Sequence, residues 1–189
     1  MSEHDQSSLA KLRDKPFELL REMERLSSLA LADGSMQGED AQEWVGIGFQ
    51  LANEKFLVAR EEIREVMILP SKLTRVPGAK DWVVGLANLR GQLLTVIDLR
   101  IFLGSGTSKG VRTARVLVVD SPDMPVGIIV DEIFGFRRFS ESEFTETITE
   151  TELRCDRYMS GTCVRGTDVW PVFSLKKLLD ATEFQQAAA

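Results

Sequence analysis

Apolar and polar residues alternate in short runs along most of the chain after residue 43, a pattern that predicts strands far more than helices. Trp44 to Leu51 and Lys55 to Arg60 flank Ala52-Asn53-Glu54 as a hairpin, and Ile63 to Leu69 is a third extended run. Pro70 and Pro77 bracket a turn region. Val83 to Leu89 and Gln92 to Ile97 surround the turn Asn88-Leu89-Arg90-Gly91, whose glycine can supply the positive φ of a tight hairpin. Asp98 to Leu103 predicts a short helix capped by the Asp98 carboxylate and ended by Gly104, followed by a Gly/Ser loop from Ser105 to Gly110. Arg115 to Val119, Met124 to Val130 and Ile133 to Phe139 are three more strands, with Ser121-Pro122-Asp123 as the first turn. The polar, acidic stretch from Ser140 to Glu152 predicts a short helix. Tyr158 to Val164 and Val169 to Phe173 complete the strands, Ser174 to Ala181 predicts a helix, and a polar tail follows.

The first 43 residues have a different period. Leu19, Met23, Leu26 and Ala30 recur at spacings of three or four, which predicts a helix with Asp14 as cap, Pro16 in its first turn and Gly34 beyond its end. Such a helix either packs on its own domain or binds a partner. The stretch GSMQGEDAQE after it is small, polar and acidic, as a linker is.

The chain also contains an echo. LTVIDLRIFL at Leu94 to Leu103 aligns without a gap on WPVFSLKKLL at Trp170 to Leu179, which matches Val96 with Val172, Leu99 with Leu175 and Leu103 with Leu179. Asp98 and Ser174 fall at the same place, and both residue types cap helices through a side-chain oxygen. An Arg-Gly pair precedes each copy, Arg90-Gly91 and Arg165-Gly166. Either strand-to-helix junctions look alike by chance, or the body is two similar small barrels.

Composition narrows the function. Of the 189 residues, 43% are hydrophobic, enough for a packed core. No run reaches the ~18 apolar residues of a membrane span and the N-terminus has no signal-peptide core, so the expected location is cytoplasmic without direct membrane insertion. The net charge of −6 sits mainly in the first 43 residues, with ten acids against five bases; the remainder has nineteen acids against eighteen bases. A nucleic-acid binder needs a basic stripe, and no Lys/Arg cluster is longer than Arg137-Arg138 or Lys176-Lys177, so no nucleic acid is expected. Cys155 and Cys163 have only His4 as another soft ligand, which favours two reduced structural thiols and no metal. The single histidine also leaves the body without Ser-His-Asp or Cys-His machinery. Asp98, Asp120 and Asp131 each sit where a strand ends, and capping or turn chemistry accounts for them.

The pieces Arg64-Glu65-Val66, Val76-Pro77-Gly78, Val83 through Gly91 (VVGLANLRG), Val96-Ile97-Asp98-Leu99-Arg100 and Pro125 through Ile133 (PVGIIVDEI) resemble the CheW family, the adaptors of bacterial chemosensory arrays. The resemblance covers residues 44–180. It implies an all-β fold of two intertwined SH3-like five-stranded β-barrels, here preceded by an N-terminal helical extension (1–43) and followed by a tail (181–189). It also implies no catalysis, no cofactor, and a place in receptor arrays bridging the cytoplasmic tip of a chemoreceptor to the regulatory domain of a CheA-type histidine kinase.

Position by position, the resemblance implies kinase binding at Ile63, Gly85 and Leu86, receptor binding at Gly127, Ile133 and Phe136 in an apolar groove between the barrels, and an ion pair between Glu65 and Arg90. From the residues alone, Gly85 reads equally as a bulge, and Phe136 as core. If the ion pair is buried, it is a structural pin whose loss costs about 3–5 kcal/mol. The extension is long for the family and is similar to that of members controlling type IV pilus twitching motility. The alternatives are an adaptor of flagellar chemotaxis and, further off, a barrel module that binds nucleic acid.

Overall fold

Val, Ile, Phe and Thr lose rotamer freedom in a helix and pack well on a pleated surface, and the short runs rich in them form strands. The computed structural model describes residues 43–187 apart from 109, 111 and 122–124. The helix expected from Asp14 and nearly all of the linker after it lie outside the described residues. Eleven strands are described: β1 (Trp44–Leu51), β2 (Glu54–Ala59), β3 (Ile63–Ile68), β4 (Val83–Leu89), β5 (Gln92–Asp98), β6 (Arg115–Val119), β7 (Val126–Val130), β8 (Glu132–Phe139), β9 (Phe144–Thr145), β10 (Met159–Arg165) and β11 (Asp168–Phe173). Three short helices accompany them: α1 (Leu99–Phe102), α2 (Leu175–Leu179) and α3 (Thr182–Gln185).

The strands form two sheets, ordered β8-β1-β2-β11-β10-β9 and β3-β6-β7-β5-β4. Each sheet is antiparallel except for one parallel pair, β11 with β2 in the first and β5 with β7 in the second. Those parallel partners are the two copies of the echo. Matching β8, β1, β2, β11 and β10 to β3, β6, β7, β5 and β4 preserves every pairing and its direction. The sixth strand of the first sheet, β9, bonds β10 through Thr145 opposite Thr162; its counterpart is the isolated bridge of Thr74 to Leu86 in the second. The expected five strands per barrel therefore hold for the repeat itself, with one short added segment on each. The second sheet is contiguous in sequence, whereas the first is assembled from both ends of the described chain.

An arginine beside each hairpin turn ties that hairpin to the far edge strand of its own sheet. Arg90, at φ 52 in the turn between β4 and β5, reaches Glu65 on the opposite edge strand β3 at 2.9 Å. Arg165, at the end of β10, donates to the Arg138 carbonyl on edge strand β8 at 2.5 Å and to both carboxylate oxygens of Glu143.

Alternation along the strands divides the core in three. Ile47, Phe49, Phe56, Val58 and Phe173 of the first sheet meet Ile97, Leu117, Val119, Ile128 and Val130 of the second in one shared cluster. The opposite faces bury smaller clusters, Leu94, Val96, Val116, Val118 and Ile129 on the second sheet, and Leu57, Phe139, Cys163, Trp170 and Val172 on the first. Burial on both faces explains why β6 and β7 read as unbroken apolar runs.

Two stretches differ from their sequence reading. Ser140 to Glu152 holds only a single 3-10 turn, Glu141–Glu143, in which Ser140 and Glu143 cap one another, and then becomes β9. The expected polar tail contains α3, because Phe184 supplies one buried anchor: it stacks on Trp82 at 5.3 Å and meets Phe102 edge-on at 5.5 Å. Glu183 beside it accepts hydrogen bonds from the Tyr158 hydroxyl and Arg157. One aromatic in nine residues leaves no periodicity to read.

Candidate functional site

Gly85 lies where β4 slips register against β5, with φ 148, and a Cβ there would sit 2.6 Å from the Thr74 carbonyl oxygen. The close backbone approach its missing side chain allows is made by the chain itself: Thr74 and Leu86 exchange hydrogen bonds of 2.9 and 2.8 Å. Gly161 repeats the arrangement on β10, with φ 157, a register shift, and a Cβ position that would collide with the Thr145 carbonyl oxygen. Gly85 pairs with Val96 and Gly161 with Val172, the valines matched in the echo. The echo from Leu94 and Trp170 onward does not reach either glycine, and extending it upstream along the same offset is the signal that would have found Gly161.

Leu86 is half-buried beside Gly85, and Ile63 at the start of β3 is 2% exposed within the shared core. A change at Ile63 would thus act on the surface through the placement of β3. The Glu65–Arg90 pair ties that strand to the β4–β5 hairpin, and Arg64 adds a 3.5 Å contact to Gln92. The pair is not buried, with 80% of the Arg90 side chain accessible. At such exposure an ion pair contributes about 0–1 kcal/mol, which replaces the figure expected for a buried pin.

Ile133 and Phe136 share β8 and, by register, lie opposite Phe49 and Ile47. Ile133 is half-buried against the shared core, while Phe136 is 62% exposed at the sheet edge, not a core residue. Gly127 is placed apart from them. It is buried on β7, where a Cβ would come within 2.7 Å of Val116 and 2.9 Å of Leu94 in the outer core of the second sheet.

Between β7 and β8 the chain crosses from one sheet to the other at Asp131, which is 6% exposed. Its Oδ2 accepts the Ala52 N–H at the β1–β2 turn (2.7 Å) and the Arg100 guanidinium from α1 (3.2 Å), tying an element of each sheet to the crossing. Asp98, fully buried, accepts from the N–H groups of Arg100, Ile101 and Ser108 and from the Thr107 hydroxyl. Asp120 donates its N–H to the Glu62 carbonyl. Asp98 and Asp131 thus hold Arg100 from its backbone and its side chain, and Asp120 acts at another junction through its backbone N–H. Among the described residues no group of three or more His, Cys, Asp or Glu is placed to hold a metal ion.

Cys155 and Cys163 are free and buried; burial pushes both thiols up, Cys163 to about 11, so neither is poised as a thiolate. Burial, with Glu183 next, also raises the Tyr158 hydroxyl. Glu143 moves the other way, from 4.5 to about 2, because Arg165 and then the Ser140 N–H bond its charged form. No described helix is long and apolar enough to cross a membrane.

Comparison with known proteins places this arrangement. The family described as CheW-like domain matches residues 45–183. The chain is 36% identical over 173 residues to Protein PilI of Pseudomonas aeruginosa, covering 92% of this chain and 96% of that one. It is 30% identical to Chemotaxis protein CheW of Helicobacter pylori over 62% of this chain and 70% of the relative. Among solved structures, the scaffolding protein TtCheW from Thermoanaerobacter tengcongensis superposes with a TM-score of 0.66 at 20% identity, covering 77% of this chain and 99% of that one.

Proposed function

The chain belongs to the CheW-like domain family, a non-catalytic scaffold of chemotaxis-type signalling, and from that premise we propose that it bridges a methyl-accepting chemoreceptor tip to a CheA-type histidine kinase in a system controlling type IV pilus twitching motility. One observation carries the choice of pathway. The alignment with PilI takes in 173 residues, more than the matched domain contains, and so reaches into the chain before Trp44. The alignment with CheW of Helicobacter pylori spans 118. In this reading the protein moves no bonds: it holds two partners in a geometry that depends on receptor state.

The positions inferred for the kinase, Ile63, Gly85 and Leu86, fall on β3 and β4, and Phe136 with Ile133 offers an apolar anchor at the edge of the other sheet for a receptor tip. Buried Ile63, Gly85 and Gly127 act in this proposal by shaping surfaces, and Leu86, Ile133 and Phe136 by touching partners. Contacts of this kind are small and individually weak, with avidity supplied by repetition in the array.

The test is co-purification of the full chain with the receptor tip and with the kinase's regulatory domain, together with motility of a deletion strain. The proposal expects both associations near micromolar concentration and loss of twitching with swimming intact. Loss of swimming alone would assign it to flagellar chemotaxis, and absence of both associations would end the adaptor reading. Exchanging Glu65 and Arg90 adds a finer test. If the pair only ties β3 to the hairpin, Arg90→Glu weakens kinase binding and the double exchange restores it; failure of rescue in a folded protein makes Arg90 itself a contact.

A further inference from the structure

The outer face of the six-stranded sheet carries a feature that neither the repeat nor the family positions explain. A pocket of about 320 Å³ opens there, lined by Phe134, Phe139 and Trp170 with Lys55, Arg137, Arg165 and Asp168. The Lys55 ammonium lies 5.6 Å from the centre of the Phe134 ring and 5.8 Å from that of Trp170, and the Arg137 guanidinium is also 5.8 Å from Trp170. Arg165 sits 4.7 Å over Phe139. Cations within ~6 Å of a ring face are held by its quadrupole, so these three charges are positioned before any ligand arrives.

Their charges are not balanced locally. Arg165 has Glu143, but neither Lys55 nor Arg137 has a carboxylate partner among the described residues, and Asp168 is the one acid lining the pocket. Arg137 donates only to the neighbouring Phe136 carbonyl. Two cations held without counter-charges over a low-dielectric floor focus a positive potential into the pocket, although the chain as a whole is acidic.

We propose that Lys55, Arg137 and Arg165 form a docking site for an extended acidic segment of a partner protein, whose carboxylates meet the two uncompensated cations. The aromatic rings explain why the ligand is a carboxylate-bearing chain and not single-stranded nucleic acid. Base stacking needs a free ring face, and Trp170, its face covered by Lys55 and Arg137, is only 9% exposed. Arg138, the adjacent base, is already paired with Glu43, so no further stripe of cations extends along β8 to track a phosphate backbone. Because successive strand residues face opposite sides, Arg137 opens away from Phe136, and this site is separate from the receptor position inferred there.

The experiment is fluorescence anisotropy of a labelled octa-glutamate peptide with the full chain at low salt, with labelled oligo(dT) as a second probe. The proposal expects peptide binding that weakens as salt rises and falls roughly tenfold or more in Lys55→Glu/Arg137→Glu. Lys72→Glu/Arg75→Glu, the same change in net charge on the five-stranded side, should leave binding unchanged. Arg137→Lys, which keeps a cation, should retain it. Lys55→Gln/Arg137→Gln substitutes for the reversal if circular dichroism shows the reversed protein unfolded. Absence of peptide binding, equal loss in both double variants, or oligo(dT) binding through Lys55 and Arg137 in place of the peptide each overturns the proposal.

Discussion

Two glycines, Gly85 and Gly161, show how a missing side chain can be dictated by a neighbour's backbone. Both adopt φ values that side chains rarely take, and at both a Cβ would collide with a threonine carbonyl that cannot swing away. Gly85→Ala and Gly161→Ala should therefore each destabilise by about 2–3 kcal/mol, measurable as a lowered urea midpoint at constant slope. A loss in one variant only would mean that the repeat is formal and not energetic. Glu143 gives the residue-scale pH dependence. Its carboxyl is depressed in the folded protein, so its stabilising effect is complete above 4.5 and is lost as pH falls towards about 2. Stability should decline across that window in the wild type and decline less steeply in Glu143→Gln, as read from denaturant midpoints between those limits. Of these residues, Arg90 and Glu65 were named as a pair only through the family resemblance, and their exposure was not legible at all, since burial depends on which strands become edges.

Most element boundaries were open to reading because alternation and turn residues agree. β1, β4 and β6 begin and end where the pattern places them. β9 was hidden: two residues, Phe144 and Thr145, inside a polar run carry no period, and only their pairing with β10 makes them a strand. Capping of the echoed helices was half legible. Asp98 caps α1 with its own carboxylate, whereas Ser174, a shorter side chain, shares the work at α2 with Glu62 from 112 residues away, which accepts from the Leu175 N–H at 2.7 Å and from the Ser174 hydroxyl. A partner so distant leaves no local trace. Glu62→Ala should cost about 1–2 kcal/mol, in the range of a lost helix cap, seen as a drop in thermal midpoint; Glu62→Gln, which keeps one acceptor, should lose less.

For the whole molecule, two intertwined barrels were expected, and among the described residues the largest buried cluster belongs to both sheets at once. Leu117 on the second sheet and Phe173 on the first sit fully buried in the same cluster. Neither sheet can open that face without exposing the other, so the described body should unfold as one cooperative unit in spite of its internal repeat. Leu117→Ala should remove about 2–5 kcal/mol and lower the hydrogen-exchange protection of both sheets together. Selective loss in β3 to β7, with β10 and β11 still protected, would show two independent folding units. This sharing could not be read from strand patterns, because alternation tells which residues are buried and not which of two interiors receives them.

The interleaving of the sheets has a consequence for the protein as it leaves the ribosome. β1 and β2 emerge first, but their sheet neighbours β8 and β11 are encoded beyond the whole of the second sheet. During synthesis the central strands can close on one another while the opening hairpin waits with both its edges unpaired, an aggregation-prone interval whose length is set by translation speed. A nascent chain halted after Val130 would hold all five strands of one sheet and only two of the other. Chaperone contact should accordingly concentrate on Trp44 to Ala59 and end when β11 arrives beside β2.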